Sequence, residues 1–60
     1  MNSSTFEKLA EISKTMKPGE WVELGVVFYT ELDHARLVRA VGSSCRVTQK
    51  GSKILVEKLT

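Results

Sequence analysis

The sequence predicts a small α+β domain with the element order α-β-α-β-β: a three-stranded sheet with two helices packed on one face. Three observations predict it. Apolar residues recur at helical spacing over residues 6–16. The run EWVELGVVFY, rich in β-branched and aromatic residues, follows a Pro-Gly turn signal. Residues 45–59 read as two short strands around a Gly-containing turn.

The first helix is expected over residues 4–16. Ser4-Thr5-Phe6-Glu7 has the form of a capping box, with the Ser4 hydroxyl accepting from the Glu7 amide and Glu7 reaching back to the Ser4 amide. Phe6, Leu9, Ala10, Ser13 and Met16 make one face with Ile12 at its margin, and Glu7, Lys8, Glu11, Lys14 and Thr15 lie opposite. Pro18 disfavours helix at the residue before it and Gly19 opens a turn.

The first strand is expected over residues 20–29. Strict alternation places Val22, Leu24, Val26 and Phe28 on the core side and Trp21, Glu23, Gly25, Val27 and Tyr29 on the other. Thr30 reads as the N-cap of a second helix with Glu31 and Asp33 in its first turn. That helix runs to about Val41 and ends at Gly42, with Leu37, Val38 and Val41 as its apolar centre and His34 beside them. In the terminal hairpin, Cys45 and Val47 share the core face with Ile54 and Val56, leaving Arg46, Thr48, Lys50, Lys53, Leu55 and Glu57 outside. Two amphipathic helices need a common surface for their stripes, and the sheet offers one face.

The chain of 60 residues allows one domain, residues 1–60, with residues 1–3 expected to be disordered. A hydrophobic content of 42% argues against general disorder. No apolar run approaches the ~20 residues of a membrane span. The opening MNSSTFEKLAEIS has neither a basic nor an apolar leader region, so a cytoplasmic location is expected. A chain this short buries only about 60% of its unfolded surface and gains from a disulfide, a metal or oligomerisation. Cys45 is the single cysteine and His34 the single histidine, so neither an intrachain disulfide nor a structural zinc site is expected. Self-association remains, and a homodimer is the expectation.

Little in the chain reads as catalytic. Cys45 falls on the expected core side, where a thiol behaves as a small hydrophobe, and His34 lies at the edge of a helix. Lys50-Gly51-Ser52-Lys53 is much shorter than a phosphate-binding loop and sits in the hairpin turn. The length argues against an enclosed substrate pocket of several hundred Å³. A non-enzymatic binding module without a cofactor or metal is therefore expected.

Two surfaces could bind. The helix-free sheet face is expected to present Trp21, Val27, Tyr29 and Leu55, an apolar and aromatic patch typical of a protein interface. The alternative partner is nucleic acid. The first half of the chain carries a net charge of −1 and the second half +3, with every arginine in the second half. Arg46, Lys50 and Lys53 beside two aromatic rings could hold a single strand by stacking and phosphate contact, and Arg36 and Arg39 on the second helix could add phosphate contacts. Glu23 and Glu57 on the same face count against that alternative. The order helix, strand, helix, hairpin also resembles a winged helix-turn-helix, but residues 30–42 have room for one helix where that family needs two.

Lys17-Pro18-Gly19-Glu20-Trp21, the segment 35–42 and the segment 46–56 together resemble short bacteriophage accessory proteins: a helix, a "PGE" turn into a strand, a second helix with Ala, Arg and Gly, and a basic hairpin ending in an aliphatic strand. The resemblance spans most of residues 17–58 and carries over no functional residue. It implies an accessory protein that binds a host protein or nucleic acid in the host cytoplasm and alters its activity.

Overall fold

A computed structural model describes residues 3–60, with side chains from Ser4 onward. The elements are α1 (Ser3–Thr15), β1 (Trp21–Gly25), α2 (Glu31–Val41), β2 (Cys45–Lys50) and β3 (Lys53–Lys58). The expected α+β order is the observed one. α1 already includes Ser3, so Ser4 is a first-turn residue and not the expected N-cap. The disorder expected of residues 1–3 otherwise falls on residues outside the described ones.

The sheet order is β1-β3-β2, with β3 antiparallel to both neighbours. β1 and β2 are therefore parallel to one another and form the two edges. The hairpin turn is Gly51-Ser52, where Gly51 takes a φ of 59° that favours a residue without Cβ. At the other end of the sheet, the Gly19 amide donates to the Lys58 carbonyl at 2.9 Å, seating the turn after α1 on β3. The α1 stripe works as its spacing predicts: Phe6, Leu9 and Ser13 are buried, and the Ser13 hydroxyl donates to the Ala10 carbonyl at 2.7 Å.

α2 begins as expected. Thr30 is in extended conformation, its hydroxyl accepts from the Asp33 amide, and its own amide donates to Asp33 Oδ2. Its end is also as expected, with the Gly42 amide donating to the Val38 carbonyl. Phe6 and Leu9 from α1, Leu37 and Val41 from α2, and Cys45, Ile54 and Val56 from the hairpin form one core cluster. Both helices thus cover one sheet face. Leu37 and Ile54 are fully enclosed, each worth about 1.5–3 kcal/mol of burial. Val38, expected in the α2 core stripe, is exposed, because the face that meets the hairpin is centred on Leu37 and Val41.

The first strand departs from expectation. It stops at Gly25 instead of running to Tyr29, and the chain bends at Val27 and Phe28 to reach the α2 cap. Phe28 takes a φ of 55° at the bend. That breaks the alternation: Phe28, expected in the core, points to solvent, and Tyr29, expected on the open face, packs against the core cluster.

Candidate functional site

Directly opposed residues of an antiparallel ladder share a face, so the pairing defines the open side of the sheet in three rows. Trp21, Glu57 and Arg46 make the first row, Glu23, Leu55 and Thr48 the second, and Gly25, Lys53 and Lys50 the third. Leu55 is half-buried at the centre. A shallow depression of about 290 Å³ lies over it, bounded by Trp21, Glu23, Lys50 and Glu57. Lys53 Nζ reaches Glu23 Oε1 at 3.5 Å, an exposed pair worth about 0–1 kcal/mol.

Of the expected interface residues, Trp21 and Leu55 share this depression. Val27 lies beyond the end of β1 in the bend. Tyr29 belongs to the other side of the sheet. Its hydroxyl is 2.9 Å from His34 Nδ1 and its ring meets the imidazole edge-on, with centroids 5.8 Å apart. Burial, aided by the Asp33 carboxylate, raises the Tyr29 phenol above its ordinary value. Tyr29 and His34 thus fasten the bend to α2. Of the expected cations, Arg46, Lys50 and Lys53 lie together on the open face, while Arg36 and Arg39 are exposed on α2.

Cys45 is buried at the start of β2, with its Sγ 3.9 Å from the Ser44 hydroxyl. Among the described residues, no three of His, Cys, Asp and Glu come together as a metal site, and no helix is long and apolar enough to cross a membrane.

β1 carries features that sequence reasoning missed. The Lys58 amide donates to the Glu20 carbonyl and the Val26 amide to the Ser52 carbonyl. Even-numbered residues of this strand therefore bond to β3, and Trp21, Glu23 and Gly25 turn their backbone groups to the free edge. Beside that edge, a half-open cleft of about 530 Å³ separates β1 from α1; it is not the enclosed pocket that the chain length argues against. Leu9, Ile12, Val22 and Leu24 make its apolar walls, and Ser4, Thr5 and Lys8 complete the lining. Three exposed apolar residues flank the same strand: Trp21 is 63% exposed at one end, Val27 72% and Phe28 88% at the other, while Leu32, Val38, Leu59 and Ile12 are exposed elsewhere. The signal available in the sequence was Gly25 followed by four apolar residues directly before an N-cap, a segment too short to end a strand and still reach Thr30 without a bend.

No protein family, curated protein or solved structure matches the chain.

Proposed function

We propose that this chain is a non-enzymatic protein-binding module whose binding surface is the β1 side of the domain. Phe28 carries the reading. A bulky residue at positive φ is a genuine outlier that costs of order 1–3 kcal/mol and persists only where the surroundings impose it. Here the strain holds an aromatic ring out in water at 88% exposure, where it contributes almost nothing to the core. Strain of this kind clusters at functional sites, and exposed aromatic residues mark interfaces. Trp21, Val27 and the unpaired β1 edge extend the surface. The cytoplasm is its proposed setting. The resemblance to short bacteriophage accessory proteins supports a host protein, modulated on binding, as the target.

Nucleic acid is the lesser reading. One observation favours it: Arg46, Lys50 and Lys53 share the open face with Trp21. Against it, Glu23 and Glu57 interleave with those cations, Lys53 is engaged by Glu23, and Tyr29 is not available for stacking there.

Photo-cross-linking in a lysate of the source cell tests the protein reading. Phe28→benzoylphenylalanine should give discrete protein adducts, and Lys14→benzoylphenylalanine on the exposed side of α1 should give none. Adducts with nucleic acid alone, or equal yields from both positions, would remove the proposal.

A further inference from the structure

We infer that the free edge of β1 pairs with the β1 edge of a second copy of this chain, antiparallel, about a two-fold axis through Leu24. This rests on the protein-binding reading and names one partner for it. The backbone restricts the registers. Only Trp21, Glu23 and Gly25 present edge groups, so these odd-numbered residues must bond to odd-numbered residues of the second copy. Centring the axis on Glu23 sets two carboxylates directly opposite, which is destabilising. Centring it on Val22 leaves Val27 and Phe28 beyond the overlap. Centring it on Leu24 opposes Glu23 to Gly25 within the strands and brings Trp21 at the start of one β1 beside the bend at Val27 and Phe28 that follows the other.

That last register is self-complementary in two ways. Trp21 sits at one end of β1 and Val27 and Phe28 beyond the other, and the two-fold brings the ends together, so Trp21 of each copy covers Val27 and Phe28 of the other. The charges match as well. Gly25 neighbours Lys53 on β3, and a Cβ built on Gly25 meets nothing within 4 Å. Lys53 of one copy therefore has an open path over Gly25 to Glu23 of the other, and the exposed Glu23–Lys53 pair becomes shared between copies. On the opposite face Leu24 meets Leu24 at the axis, and the two α1–β1 clefts adjoin there.

The test uses the unmodified chain. Sedimentation up to about 1 mM should give twice the 6.7 kDa monomer mass. Carbodiimide coupling of mixed isotope-labelled and unlabelled protein should yield Glu23–Lys53 peptides of mixed label. Glu23→Lys should weaken the dimer by about tenfold or more, and Glu23→Lys with Lys53→Glu should restore it. A chain that stays monomeric throughout, or a dimer whose Glu23–Lys53 couplings never mix labels, overturns the inference. A monomer that still gives protein adducts from position 28 overturns the dimer alone; loss of those adducts overturns the underlying reading.

Discussion

Lys58 Nζ donates to the Ser13 carbonyl at 3.0 Å, joining two residues 45 positions apart in the chain. The same ammonium lies 3.3 Å from the Ser44 hydroxyl. The last turn of a helix leaves carbonyls without intrahelical partners, and a cation there also suits the helix dipole. Lys58 thus ties the end of α1 to the start of β2 from the last residue of β3.

Lys58→Met keeps the aliphatic stem and removes the donor. It should cost about 1 kcal/mol. In a domain of this size that lowers the thermal midpoint by about 4–8 °C, readable by circular dichroism.

The α2 cap should carry a pH dependence. Asp33 titrates below its ordinary 3.8, chiefly because the Thr30 amide donates to its carboxylate. With the folded value depressed, the unfolded chain takes up the proton first. The contribution is complete above 3.8 and is lost as pH falls through the lower folded value. Urea unfolding at neutral pH should place Asp33→Asn below the native chain, and the gap should close in strong acid. Thr30→Ala should cost about 1 kcal/mol at neutral pH.

The core is narrow, and its members differ sharply from their neighbours. Leu37→Ala or Ile54→Ala should cost about 2–5 kcal/mol, enough to unfold much of so small a domain. Val38→Ala, one position along and exposed, should stay within about 0.5 kcal/mol of the native chain by the same unfolding measurement.

With a protein as partner, fluorescence anisotropy of labelled single- and double-stranded oligonucleotides should stay flat at micromolar chain in low salt. Salt-steep binding that weakens on Arg46→Ala or Lys50→Ala would favour the nucleic-acid reading instead.

Local signals in the sequence carried most of the fold. Thr30 with Asp33 announced the α2 start, Gly42 its end, and Gly51 the hairpin, because each acts within a few residues of itself. The order β1-β3-β2 was not legible, since strand neighbours depend on contacts distant in sequence. The site was half legible. Trp21 and Leu55 were placed on the open face by alternation, which holds within β1 and β3. Alternation fails once the chain bends, so Phe28 and Tyr29 exchange sides and the strained aromatic went unseen. The edge position of β1 and its cleft depend on where the helices sit, which no local pattern encodes.

On the proposed reading, Phe28 serves binding at some expense to the fold. Phe28→Gly tests this most directly, measured together for unfolding midpoint and for photo-adducts formed from a cross-linker at position 21. Relief of positive φ offsets the added freedom of the unfolded glycine chain, each being of order 1 kcal/mol. The predicted result is a midpoint at or above that of the native chain with the adducts lost. A midpoint lowered by about 1 kcal/mol or more, with adducts unchanged, would mean that Phe28 supports the fold and not the interface.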